Sequence, residues 1–548
     1  MLERAPTPAP TPASMPTPVS TPASALTPTP TPAQAAAPRR HTRLVLAVSA
    51  LWTLPIWLTT YPPMTDYPQH LAMAAILRFY HDPARHLTET YQLALSRPNA
   101  LFELLTAGLS MLMPIELAGK LVVALAVAAV GAAALALVRR AGRPDWYALL
   151  ALPATYNFVF YWGLIGNVLA YPQLLVAIAI ADRLFERPPR ARWWLALAGL
   201  SASFYLTHLQ FLFVFLGCAG WLLLLRWPRA RPRDLLIHAS AALPALALAL
   251  SHIIFAPARL SLYQQAMLAH GLTFTPVGRR LELLPICLFG GSEDNPETVL
   301  LALLLILVLV LCAYRPLARF PSVREGLMRT RFGTLALWLL ALYLALPMNL
   351  IGGFVWQRMA AAALMASVAA LPAPLPGRTR AAQLLLFAVL GLQLFVVSAT
   401  SIEYERQAAG VRDLIERTEP GKNVAGLIFE RSSPGIQTAP VFLQYPALYQ
   451  VYKGGRVSFS FAEFNVSIAQ YQPGQQWDDL IVEFSEWSPD HFDYARHGGR
   501  FDYFLVHGPV TLLPRIFSGA RGDLEVQSRG DWHLLRRTSA RARPQPQP

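Results

Sequence analysis

The chain has 548 residues, of which 54% are hydrophobic and 14% charged, with mean hydropathy +0.37 and a formal net charge of +14. Soluble domains carry about 25% charged residues, so this composition excludes a soluble enzyme or a singly anchored protein and specifies a polytopic membrane protein. The basic excess is almost entirely arginine in short loops between apolar segments, which is the signature of membrane topology rather than of a nucleic-acid-binding face.

In chain order, residues 1–38 read as a disordered cytoplasmic tail, because a Thr/Pro/Ala tract with few charges and nothing large to bury favours extended, polyproline-like conformations. Arg39, Arg40 and Arg43 then precede LVLAVSALWTLPIWLTT, whose apolar run continues past its small residues and so reads as an uncleaved first helix. Eleven spans are expected, at about 44–60, 119–138, 146–161, 168–184, 193–207, 210–226, 235–255, 299–313, 333–350, 358–372 and 381–399. With these, 21 arginines fall on the side of the N-terminus: the three above, then Arg139, Arg140 and Arg143, Arg183, Arg187, Arg190 and Arg192, Arg226, Arg229, Arg231 and Arg233, Arg315, Arg319, Arg324, Arg329 and Arg331, and finally Arg378 and Arg380. The short turns around Gly163 and His208 on the other side have none. The positive-inside rule therefore puts the N-terminus in the cytoplasm, and the segment 101–113, too short to span, is read as re-entrant or interfacial.

The transmembrane domain thus covers residues 39–400, with a first outer loop at 61–118. An odd number of spans places residues 401–540 outside as an α/β domain, with helical spacing in EYERQAAGVRDLIER and strands expected at 424–429, 456–461 and 501–508. Residues 541–548 read as a disordered tail. Three lysines against 43 arginines suggest bacterial, high-GC coding, so the expected location is the bacterial inner membrane with the C-terminal domain periplasmic or extracellular. The three cysteines, Cys218, Cys287 and Cys312, give neither a disulfide framework nor a metal-ligand spacing.

The first outer loop is rich in polar groups, which in a membrane protein collect where water or substrate enters. Pro68 preorganises a helix start, and Leu71, Ala75, Ile76 and Phe79 mark an apolar face, so this helix is expected to lie on the membrane surface. Asp66 and His70 stand four residues apart and share a face, a suitable arrangement for a general base and a group that orients it. The competing reading is an ordinary helix start, with Asp66 only favouring the positive terminus. His81, Asp82 and His86 match no metal-ligand motif, and no phosphate loop, Walker motif or hydrolase elbow is present, so no cofactor, metal or nucleic acid is expected.

The order of these parts, together with PPMTDYPQHLA (62–72), the YWGLIGN turn (161–167) and FDYFLV (501–506), resembles the GT-C superfamily of membrane glycosyltransferases over roughly residues 40–540. The resemblance implies a sugar donor carried on a polyprenyl phosphate and a catalytic role for the acidic residue of the first outer loop, here Asp66. The chain lacks the adjacent Asp-Glu pair of several such families and has His70 in a D-x-x-x-H arrangement instead. A donor phosphate then requires a cation near the outer leaflet: Arg358 in GGFVWQRMA fits, with Arg279 and Arg280 as further candidates, although an Arg beside Trp356 is also a common interfacial anchor. Asn157, Asn167 and His208 are candidates to bind sugar hydroxyls. The expected partners are a polyprenyl-phosphate-linked sugar, membrane lipids and a glycan, lipid or protein acceptor. Rival readings are a lipid or glycan flippase and a non-enzymatic cell-envelope scaffold. Asp478, Asp479 and Glu483 read as soluble surface of the outer domain, away from the reaction, as do Glu293 and Asp294 in their loop.

Overall fold

The computed structural model describes residues 41–185, 191–226, 231–255, 265, 271–290, 296–312, 330–349, 353–372, 377–477, 486–520 and 522–538. Both expected tails, and Glu293, Asp294, Asp478, Asp479 and Glu483, lie outside the described residues.

The helices, in chain order, are α1 (Thr42–Leu51), α2 (Tyr67–Arg78), α3 (Leu101–Leu109), α4 (Ile115–Arg140), α5 (Ile165–Arg183), α6 (Ala191–Thr207), α7 (Leu209–Arg226), α8 (Pro232–Phe255), α9 (Pro296–Cys312), α10 (Arg331–Ala345), α11 (Gln357–Ser367) and α12 (Thr379–Ala408). Among the described residues, α4, α5, α7, α8 and α12 are long and apolar enough to cross a membrane, and α1, α9 and α10 are shorter apolar helices. The span expected at 146–161 is not an α-helix. Asp145–Thr155 is a 3-10 helix in which every residue is buried, with Pro153 inside it, followed by a short α-turn at Phe158–Tyr161. Such backbone is tolerated at membrane depth only when encased by protein, and here α1 packs beside it, with Trp52 Nε1 donating to Thr155 Oγ1 at 2.8 Å.

Polar residues form two layers. At one end, the fully buried Asp182 of α5 receives Arg140 Nε at 2.6 Å, Arg226 Nη2 at 2.9 Å and Arg331 Nε at 2.9 Å, so one carboxylate ties together the ends of four helices. Asp182→Ala should destabilise the folded protein by about 3–5 kcal/mol, because three arginines then share a site without its carboxylate. A melting curve in detergent unchanged by the substitution would show that the network contributes nothing. The other layer contains Asn167, 15 positions earlier on the same helix and therefore about 22 Å away at 1.5 Å per residue.

α12 runs unbroken through Ala408, beyond the composition change near residue 400, and ends before Gly410 at φ +88°; α13 (Val411–Glu416) follows. The C-terminal region then carries β2 (Asn423–Ile428), α14 (Leu448–Lys453), β3 (Arg456–Val457), β5 (Tyr503–His507), β6 (Leu524–Arg529) and β7 (Trp532–Arg537) in the order β3-β2-β5-β7-β6, while β1 (Tyr91–Leu93) pairs antiparallel with β4 (Ala469–Tyr471). β3 and β5 run parallel to β2, and β7 runs antiparallel to β5 and β6. Strand periodicity divides the sheet's faces: Val424, Ile428, Tyr503, Leu505, Trp532 and Leu534 join the main core, whereas Ala425, Leu427, Phe504, Val506 and Leu535 form a second core with Phe492 and Phe517. Gly426 is required where β2 meets Pro446, since a Cβ there would lie 2.3 Å from the Pro446 ring.

The expected surface helix is not at a surface. α2 buries nine of its twelve residues, Tyr67, Pro68, Gln69, Leu71, Ala72, Met73, Ala74, Ala75 and Ile76, between α3 and the C-terminal region. Gln69 Nε2 bonds Gln444 Oε1 at 2.9 Å and the Phe459 carbonyl at 3.1 Å, and Gln69 Oε1 accepts from Phe461 N–H at 2.9 Å. The C-terminal region therefore packs directly on α2.

Candidate active site

Asp66 ends a tight segment pinned to the 161–167 turn. Thr65 N–H donates to the Tyr161 carbonyl at 2.8 Å and Asp66 N–H to the Trp162 carbonyl at 3.3 Å. Gly163, at φ +74°, permits this approach, because a Cβ there would meet Asp66 N at 2.4 Å. Asp66 occupies the N-cap position of α2, yet its side chain makes no capping hydrogen bond. The carboxyl thus does not serve as a hydrogen-bonding cap of α2. Burial raises its pKa to about 7, against the opposing pull of His70 and Arg358.

His70 lies one helical turn on, its N–H bonded to the Asp66 carbonyl at 3.1 Å. Its Nδ1 is 2.6 Å from Glu103 Oε1 on α3, and the rings of Phe102 and Phe461 hold the imidazole edge-on. Burial disfavours the imidazolium, but the Glu103 carboxylate, helped by Asp66, outweighs it and raises the His70 pKa. Glu103 was not singled out from the sequence. The segment 101–113, expected to be re-entrant or interfacial, contains α3, which supplies this carboxylate.

Opposite stands Arg358, at the start of α11. Its Nη1 is 2.5 Å from His208 Nε2 and 3.2 Å from Asn167 Oδ1, while Nη2 donates to the Gly353 carbonyl at 2.8 Å and Nε to the Phe354 carbonyl at 3.2 Å. Phe354 holds φ +63°, rare for an aromatic residue, and so presents its carbonyl to the guanidinium. Arg358 and Asp66 influence each other electrostatically. Asn167 is fully buried and its Nδ2 has no partner among the described residues, which leaves an amide donor beside the cation.

Asp66, His70, Arg358, Asn167 and His208 therefore gather in one polar region; Asn157 adjoins it through Tyr171, whose hydroxyl donates to the Arg358 carbonyl at 3.2 Å, and Arg279 and Arg280 are engaged elsewhere. Asn157 caps the turn that follows it, with Oδ1 accepting from Phe160 N–H at 2.9 Å and Nδ2 donating to the Ala154 carbonyl at 2.7 Å. Arg280 is buried against Trp356 and donates to the Thr275 and Tyr343 carbonyls, each at 2.8 Å. Arg279 forms an exposed pair with Glu282 at 2.9 Å.

The C-terminal region adds a group that sequence reading missed. Burial, with a smaller contribution from the Asp66 charge, raises the Glu486 pKa to about 7. Trp487 beside it stacks on Trp162, centroids 6.2 Å apart. A separate cavity of about 210 Å³ lies behind Tyr161, lined by Phe289, Glu297, Leu300, Gln393 and Val397. It shares that tyrosine with the Asp66 region but none of the region's charged groups.

Comparison with known proteins gives no matching family model and no matching curated protein. Solved structures that share the fold include the following two. One is ArnT from Cupriavidus metallidurans bound to undecaprenyl phosphate, with 13% identity, a TM-score of 0.51 and coverage of 92% of this chain and 99% of that one. The other is the apo state of the same protein, with 14% identity, a TM-score of 0.50 and coverage of 93% and 100%. At the level of the fold, the architecture is thus that of ArnT from Cupriavidus metallidurans.

Proposed function

We propose that the protein transfers a sugar from a polyprenyl-phosphate donor to an acceptor on the outer face of the bacterial inner membrane. The observation that carries this reading is the opposition of an uncapped carboxyl, Asp66, to the Arg358–His208–Asn167 cluster with its free amide donor. Asp66 takes the proton of an acceptor hydroxyl as that oxygen attacks the anomeric carbon. The carbon–oxygen bond to the phosphate breaks, and the bonding pair leaves with the polyprenyl phosphate. Arg358 and the Asn167 amide stabilise the charge that grows on the phosphate. His70, held by Glu103, tunes the proton affinity of Asp66. That the ArnT structure holds undecaprenyl phosphate makes that lipid the carrier to test first. Purified protein in nanodiscs, offered a panel of undecaprenyl-phosphate pentoses and hexoses with envelope glycolipids as acceptors, should transfer at least one sugar. Failure across the panel would favour a scaffold.

A flippase would place functional charges near mid-membrane. Here the charged groups described above cluster in two layers at the helix ends, which favours chemistry at an interface.

Because the base must be ionised, transfer should rise with pH and level off above about 7, the value to which burial lifts Asp66. A pH–rate profile flat from pH 5 to 9 would remove Asp66 as the base. The reading also places the C-terminal region outside. A periplasmic reporter fused after residue 400 should be active and one fused near Arg229 inactive; the opposite pattern would invert the site.

A further inference from the structure

We propose that Glu486 and Trp487, supplied by the outer domain, form a saccharide subsite facing Asp66, with the Trp487 indole covering the C–H face of a sugar ring and Glu486 bonding a ring hydroxyl. This inference rests on the transferase reading and deepens it.

Trp487 is the exposed end of an aromatic row. Phe158 packs on Phe354 with centroids 5.2 Å apart, Phe354 on Trp162 at 4.3 Å, and Trp162 on Trp487 at 6.2 Å with the two planes 29° apart. The row is anchored to the catalytic segment, because the Trp162 carbonyl accepts from Asp66 N–H and Trp162 Nε1 donates to the Thr438 carbonyl at 3.0 Å. Arg431 lies 5.9 Å from the Trp487 ring centroid. Even so, Trp487 remains 38% exposed, an indole placed beside polar groups and only partly covered.

Aromatic faces beside hydrogen-bonding side chains suit sugar rings, which present apolar C–H faces and polar edges. Glu486, next to Trp487 in the chain, offers a carboxyl that can bond a ring hydroxyl. An anion would be repelled here and is better served by Arg358. The ring belongs either to the donor sugar or to the acceptor, and binding measurements separate the two.

The test compares wild type, Trp487→Ala, Trp487→Phe and Glu486→Gln in nanodiscs, using bare undecaprenyl phosphate and the panel of undecaprenyl-phosphate pentoses and hexoses. For a donor ring, Trp487→Ala should weaken the sugar-bearing lipid that wild type binds tightest by about tenfold and leave bare undecaprenyl phosphate unchanged, with Trp487→Phe restoring most of the loss. For an acceptor ring, both lipids should bind normally while the acceptor KM rises about tenfold at similar kcat. Unchanged binding and kinetics, or equal weakening of both lipids, would overturn the subsite, since a merely structural Trp487 would not tell sugar from carrier. Glu486→Gln should move the acid limb of the pH–rate profile to lower pH, because it removes a neighbouring negative charge. An unmoved limb would separate Glu486 from Asp66. If wild type binds neither lipid, the transferase reading itself fails, a result distinct from failure of the variants.

Discussion

Asp66→Asn is expected to reduce sugar transfer by about 10²–10⁴, the usual contribution of a general base, while the protein still inserts and still binds the lipid donor. Asn preserves shape and removes proton acceptance. No cap is lost, because the Asp66 side chain makes none. Stability gives an independent readout with a definite sign. The folded pKa of Asp66 is raised to about 7 from an ordinary value near 3.8, so the folded state binds the proton more tightly than the unfolded chain does. The ionised carboxyl therefore costs stability, a cost absent below the unfolded value, growing between about pH 4 and 7 and complete above the folded one. Asp66→Asn should melt close to wild type at pH 4 and higher than wild type at pH 8. His70→Ala should cost less activity than Asp66→Asn, because His70 only tunes the carboxyl; a larger loss would exchange their roles. Near-wild-type turnover by Asp66→Asn would take Asp66 out of the mechanism.

Much of this site could be read from one short stretch of sequence. Asp66 and His70 were visible because a helix start followed by a four-residue spacing fixes a shared face, whatever the rest of the fold does. Arg358 was singled out because the resemblance implies a donor phosphate, which requires a cation at the outer end of a helix. Glu103 and Glu486 could not be read in the same way. They reach the site from residues far along the chain, α3 and the C-terminal region, and no local period encodes a contact over 33 or 420 positions. Asn157 has a local use that the sequence did not reveal: its amide caps the turn by accepting from Phe160 N–H.

The fold divides similarly. Long apolar helices such as α4 and α12 announce themselves by composition, whereas residues 146–161 are apolar enough to span but carry Pro153 and form a 3-10 run. α2 looked like a surface helix because its polar residues seemed to face water. Gln69 in fact bonds the C-terminal region, so the polarity serves a protein interface. The β6–β7 hairpin had a legible signal in LEVQSRGDWHLLRR, with Gly530 at φ +56° in its turn, and the strands on either side could have been expected.

Arg358→Gln should reduce transfer by about 10²–10³, comparable to removing a donor that stabilises developing negative charge. The decisive comparison is with Arg358→Lys. If Arg358 were only an interfacial anchor beside Trp356, lysine would serve almost as well, since its ammonium reaches the interface on an equally long stem. The observed guanidinium is instead a fixed fork, contacting Asn167 and His208 with one nitrogen and the Gly353 carbonyl with another. A lysine cannot reproduce that geometry, so Arg358→Lys should recover little of the lost rate. The affinity for bare undecaprenyl phosphate should fall in both variants, because the contact proposed is with phosphate and not with the sugar. Asn167→Ala should produce a smaller loss in the same direction, since it removes a neutral donor where Arg358 supplies a charged one. If Arg358→Lys turns over and binds the lipid like wild type, the phosphate site must be sought elsewhere in the bundle, and Asp66 loses the partner that makes its position productive.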